Sequence, residues 1–231
     1  MRRTLIATAL LAGLSGPAVA DEYATYLSLF VTPAGASSAT GCQTTALLNL
    51  PASWQAGDAV VVLLTTEPEY SQQRDSLIAE ILAEQAGVLE VPSASPAACH
   101  QGGADALGSA AQAASLDLLY GGLLAARQQG AGGLVVAIGH GREGRLALAA
   151  ADEAEASARL GSHGPRFAAA LALGDERPRL RLGAAVAAPE RAEARLGLLC
   201  DALGRSNTAD GLACATELRT GLASVRVALQ R

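Results

Sequence analysis

The chain has 231 residues, a net charge of −5, 50% hydrophobic residues and four cysteines, which fits one large domain or at most two small ones. A chain of this size buries roughly 70% of its unfolded surface and needs neither a metal nor a disulfide framework to fold. The acidic balance argues against a nucleic-acid binder, which carries a basic face, and the low charge with high apolar content argues against disorder.

Residues 1–20, MRRTLIATALLAGLSGPAVA, have the parts of a secretory signal peptide. Arg2 and Arg3 form a positive start, residues 4–14 a short apolar run, and Ala18-Val19-Ala20 a small-x-small cleavage site ahead of Asp21 and Glu22. The apolar run is too short for a membrane span, and no later segment reaches about 18 uninterrupted apolar residues. The expectation is cleavage after Ala20 and a soluble mature chain, residues 21–231, in the periplasm or outside the cell. The paired arginines also raise the route for folded proteins, though their flanking residues suit it poorly.

Export changes what the cysteines mean. Cys42, Cys99, Cys200 and Cys214 all lie in the mature chain, and an even count in an oxidising compartment reads as two disulfides. Three pairings are possible. Cys200 with Cys214 and Cys42 with Cys99 is the favoured one, the first closing a loop over residues 201–213 that is rich in Gly, Ser, Asn and Asp. Such a loop is worth about 3 kcal/mol in the chain-entropy model. A metal site is not expected: no pair has C-x-x-C spacing, and only His100 adjoins a cysteine.

The mature chain opens with a strand over residues 23–31 and a second over 45–50. Residues 59–64, AVVVLL, form a continuous β-branched run suited to a strand buried on both faces of a parallel sheet. Leu77, Ile78, Ile81 and Leu82 have helical spacing within 71–85, stopped by Gly87. A short strand follows at 88–91, then a Ser-, Pro- and Gly-rich loop over 92–103. Residues 105–129 read as a long helix, bent or broken near Gly121-Gly122. Residues 134–138 form a second central strand, and a glycine turn over 139–144 opens a helix from about 142 to 159. Weaker strand patterns cover 167–173 and 180–187, and helices over 189–203 and 213–229 close the chain. Strands alternating with helices around buried parallel strands predict an α/β sandwich.

The most informative segment is residues 134–148, LVVAIGHGREGRLAL. In an open parallel sheet, ligands bind beyond the carboxyl ends of the strands, where a helix N-terminus presents free N–H groups. Three readings stand. Gly139, Gly141 and Gly144 match the dinucleotide pattern G-x-G-x-x-G. Yet the ribose-binding acid is missing: Asp152, Glu153 and Glu155 come too early and Asp175 too late. The glycines also suit a purely structural turn that packs the helix tightly on its strand, with His140 and Arg142 exposed and Glu143 favourable for the helix dipole.

In the third reading the frame Gly139-His140-Gly141-Arg142-Glu143-Gly144 resembles the nucleophile elbow of the α/β-hydrolase family, in particular its exported dienelactone-hydrolase-like branch. Residues 59–91 resemble that family's third strand, first helix and fourth strand. The likeness spans about residues 59–173. It implies a mostly parallel sheet flanked by helices, an oxyanion loop at Thr65-Thr66-Glu67-Pro68-Glu69, and an ester or lactone hydrolase. Glu67 stands where dienelactone hydrolases carry a glutamate. The catalytic set departs from the family. Gly141 occupies the place of Ser or Cys, only Glu190 stands near the place of the acid, and no histidine follows His163. All three roles of a nucleophile–base–acid set are vacant together.

Outside this segment, His100 beside Cys99 reads as a loop histidine and Ser162-His163 as part of a turn. Arg177, Arg179 and Arg181 alternate onto one face of an extended segment, as on a charged edge strand or a hold for an anion. Trp54 either lines a pocket or caps the core.

The sequence therefore predicts one exported α/β domain, resembling an α/β-hydrolase, held by two disulfides and without cofactor or metal. Its leading role is as a catalytically degenerate member that binds a ligand, a small molecule for instance, or a partner, with Gly139, His140, Gly141, Arg142 and Glu143 as the site, or is only structural. The alternative is a working ester or lactone hydrolase with displaced groups, for which His163, Glu67 and the backbone N–H groups near Arg142 are the candidates.

Overall fold

A computed structural model describes residues 25–35, 42–66, 72–93, 109–131, 133–174, 178–183 and 189–229. Seven strands form one sheet: β1 (Thr25–Val31), β2 (Thr44–Leu50), β3 (Val60–Thr65), β4 (Gly87–Pro92), β5 (Val135–His140), β6 (Ala169–Leu173) and β7 (Arg179–Leu182). Their order is β1-β2-β4-β3-β5-β6-β7. The four central strands are parallel, β4 on β3, β3 on β5 and β5 on β6. Antiparallel pairs close both margins. The expected α/β architecture is present, and the strand before the glycine turn lies at the centre of the sheet.

The period of two in a strand sends successive residues to opposite faces. Val60, Val62 and Leu64 join one core, Val61 and Leu63 the other, and Val135 and Ala137 oppose Val136 and Ile138 in the same way. This is why the central runs are apolar throughout. Helices α2 (Ser109–Gln128), α3 (Arg142–Ala150) and α4 (Glu153–Leu160) cover one face. The other carries α1 (Gln72–Ala83), α5 (Pro189–Ser206) and α6 (Thr208–Leu229). Each large side chain sealed between these layers, such as Leu64, Ile81 or Leu171, contributes about 1.5–3 kcal/mol relative to exposure.

Three elements differ from the sequence expectation. Described from Ser109 onward, α2 runs unbroken through Gly121 and Gly122. A Cβ on Gly122 would stand 2.9 Å from Val62 and 3.0 Å from Val91, so the pair marks where the helix crosses the sheet closely. The helix expected over 142–159 is two helices. Asp152, extended at φ −79° and ψ 131°, accepts from the Ala154 N–H and caps α4; Asp152 with Glu155 three residues on is an N-terminal signal. The loop expected over 201–213 is instead a tight corner between α5 and α6. Asn207 alone connects them, its side chain accepting from the Ala209 N–H at 3.1 Å.

The Cys200–Cys214 disulfide staples that helical corner, with 5.3 Å between the Cα atoms. Cys42 is disulfide-bonded as well; its expected partner, Cys99, lies outside the described residues, as does its neighbour His100. Trp54 packs against the α2 side of the core, which settles its role as a cap. On the edge strand β7, Arg179 and Arg181 share the exposed side, and Arg181 pairs with Asp152 at 2.9 Å; Arg177 is outside the described residues. No helix among the described residues is long and apolar enough to cross a membrane.

Candidate functional site

The parallel register sets Val60 opposite Val135 and Leu64 opposite Gly139, so β3 and β5 end level with each other at the carboxyl edge of the sheet. His140 ends the strand and Arg142 starts α3, leaving Gly141 alone to reverse the chain. Its backbone sits at φ +55° and ψ −114°, in the left-handed region that a side chain makes costly. The Gly141 N–H donates to Leu173 O at 2.7 Å, tying the bend to the end of β6. Gly139 has the tightest surroundings: a Cβ there would lie against the Glu143 carbonyl, 2.7 Å from the Gly144 nitrogen. The close-packing role expected of the turn glycines is therefore real, and it coexists with an open apex, because a Cβ on Gly141 would meet nothing within 4 Å among the described residues.

Beside this bend lies a cavity of about 230 Å³. Leu63, Leu77, Ile138 and Leu203 supply apolar wall, and Thr65, Thr66, Ser206 and Asn207 supply polar groups. His140, Glu143, Arg74 and Asp210 supply the ionisable ones. Glu143 is buried, 7% exposed, and its carboxylate makes no hydrogen bond or ion pair among the described residues. Asp210 comes from the first turn of α6, which the corner at Asn207 aims at the cavity. Burial raises its pKa above the usual aspartate value, and His140 acts electrostatically against that rise. The imidazole and the carboxyl are thus within electrostatic reach. Gly174, at the end of β6, leaves the room that the His140 ring occupies.

Of the residues singled out from sequence, Gly139, His140, Gly141 and Glu143 gather at this edge. Arg142 is exposed and does not line the cavity. His163 is not brought there. It sits exposed on the turn before β6, at the amino end of a strand parallel to β5, hence at the opposite edge of the sheet from the bend. No serine hydrogen-bonds to it among the described residues. Glu67 lies outside the described residues, and Glu190 falls in the first turn of α5. Asp210 and Arg74 were not singled out from sequence. The only local signal for Asp210 is that it stands three residues after Asn207, which reads as helix capping and not as a site.

The donor set suits binding and proton exchange more than metal ligation: no group of three His, Cys, Asp or Glu that could hold a metal occurs among the described residues. Among the described residues every cysteine is in a disulfide, so no thiol is available as a nucleophile.

No protein-family model matches the chain, and no curated protein does. Among solved structures it has a distant likeness to Est1E from Butyrivibrio proteoclasticus, with 12% identity, a TM-score of 0.40 and coverage of 54% of this chain and 45% of that one. A dienelactone hydrolase from Anabaena variabilis shows 12% identity and a TM-score of 0.40, covering 57% of this chain and 59% of that one. The esterase domain of a Rhodothermus marinus protein shows 15% identity and a TM-score of 0.38, covering 55% and 45%. The matched region spans less than two thirds of each of these proteins.

Proposed function

We propose that the chain is an exported, catalytically degenerate protein of α/β-hydrolase type that binds a small molecule in the cavity beside Gly141 without hydrolysing it. One observation carries this reading. The apex of the bend, at the carboxyl end of a strand inside the sheet, meets no described residue, and the residue there is glycine. Acyl transfer needs a nucleophile, a base that takes its proton and an acid that orients the base. Thr65 and Ser206 bring hydroxyls to the cavity, but none hydrogen-bonds to His140 among the described residues. The mixture of apolar wall and few polar groups is that of a ligand pocket. The signal-like residues 1–20 and the Cys200–Cys214 disulfide support an oxidising destination.

A second reading, an ester or lactone hydrolase with displaced groups, is favoured by the nearness of His140 and Asp210. A panel of p-nitrophenyl esters and a dienelactone, run with a covalent serine-hydrolase probe, separates the two. The expected outcome is neither turnover nor labelling. Gly141→Ser is expected to stay inactive too, since no base packs within 4 Å of a Cβ at that position. Turnover by the wild-type chain overturns the binding reading, and strong hydrolysis by the variant shows that His140 is a working base.

A further inference from the structure

We propose that the cavity takes a small organic monocation, an amine with an apolar body, whose ammonium group pairs with Glu143. The inference rests on the cavity being a ligand site. Among the described residues, four that line it carry ionisable side chains: Arg74 from α1, His140 from β5, Glu143 from α3 and Asp210 from α6. Arg74 lies 3.6 Å from Glu90 on β4 and 3.5 Å from Asp75 on its own helix, so carboxylates outside the cavity answer its charge. Asp210 and His140 line the cavity together, and His140 acts electrostatically on the Asp210 carboxyl. Glu143 is left over, with neither a hydrogen bond nor an ion pair among the described residues.

A carboxylate that is 7% exposed and has no partner among the described residues is expensive to keep. The N-terminus of α3 offsets only part of that cost. Its oxygens are not among the fully enclosed polar atoms, so the little access that remains is through the cavity it lines. An ammonium arriving there replaces weak hydration by a charge-assisted hydrogen bond in a low-dielectric setting. Leu63, Leu77 and Leu203 fit the apolar remainder of the ligand. An anion would meet the Glu143 carboxylate, which selects against it.

The test is calorimetric titration of the purified protein at pH 7 with three matched probes: cyclohexylmethylamine, cyclohexylmethanol and cyclohexanecarboxylate. The amine is expected to bind about tenfold tighter than the alcohol, and the carboxylate most weakly. Glu143→Gln is expected to bring the amine to the level of the alcohol. Equal binding of amine and alcohol, preference for the carboxylate, or no binding of any probe overturns the inference. The comparison of probes on the wild-type chain decides the matter even if the variant does not fold. These outcomes are separate from the ester panel: equal binding of amine and alcohol sinks the cation while the ligand site stands, and ester turnover sinks the non-hydrolytic reading whatever the amine does.

Discussion

Two turns, at opposite edges of the parallel core, treat their polar groups in opposite ways. At the amino edge, the turn into β6 is wired by Arg166. Its guanidinium donates to Gly164 O at 2.8 Å, Gly161 O at 2.9 Å, Ser157 Oγ at 2.9 Å and the Glu153 carboxylate at 2.8 Å. Nearby, Arg159 donates to buried Asp117 at 2.7 Å and also pairs with Glu155. At the carboxyl edge, the bend out of β5 is a bare glycine, α3 has no side-chain cap, and Glu143 is buried without a partner among the described residues. Buried polar groups in a scaffold are normally satisfied, and departures from local consistency concentrate where function lies. The first edge reads as framework and the second as site, even though the conspicuous histidine, His163, belongs to the first.

That contrast predicts which property each substitution moves. The largest effect is expected for Asp117→Ala. It strands Arg159, whose side chain is 14% exposed, without its buried partner, and breaking such a pair costs about 3–5 kcal/mol. Urea unfolding should show the loss, while affinity for any cavity ligand stays unchanged. An affinity change of the same size would erase the division between framework and site.

Next comes the Cys200→Ser, Cys214→Ser double variant. The bridge spans a sequence separation of 14, worth about 3 kcal/mol in the chain-entropy model. Because Asp210 lies inside the closed segment and lines the cavity, this variant should weaken stability and ligand binding together. Loss of stability alone would show that the corner holds its shape without the staple.

The smallest effect concerns Asp210. Burial raises its pKa in the folded state, so the folded chain holds that proton more tightly than the unfolded one. The resulting stabilisation is present at low pH and is lost as pH rises from the ordinary aspartate value, 3.8, through the raised one. Asp210→Asn should therefore gain thermal stability relative to wild type on going from acid to neutral pH. Parallel Tm–pH curves for the two proteins would show that the carboxyl is fully hydrated.

Much of this was legible in the residues themselves. The β-branched run at 60–64 and the run at 135–138 announce strands buried on both faces, because only such a strand has no polar side to show water. The frame from Gly139 to Gly144 announces a strand passing straight into a helix. Its side-chain-free apex and close-packed base follow from glycines at those places. The pairing of Cys200 with Cys214 is legible from their proximity along the chain. Errors arose where composition stood in for geometry. Gly121-Gly122 and the Gly-, Ser- and Asn-rich 201–213 segment look like breaks, but small residues also serve helices that must approach closely.

What the chain determined locally is most of its elements and the sharp bend at Gly141, since hydrophobic period and glycine placement act over a few neighbouring residues. Only the tertiary structure decided what meets at the bend. The parallel pairing of β5 with β6 sends His163 to the far edge, and the corner at Asn207 carries Asp210 back across some seventy positions to face His140. Such meetings depend on strand order and helix docking. Those are set by burial of surface summed over the whole sheet, which no spacing within a single segment encodes.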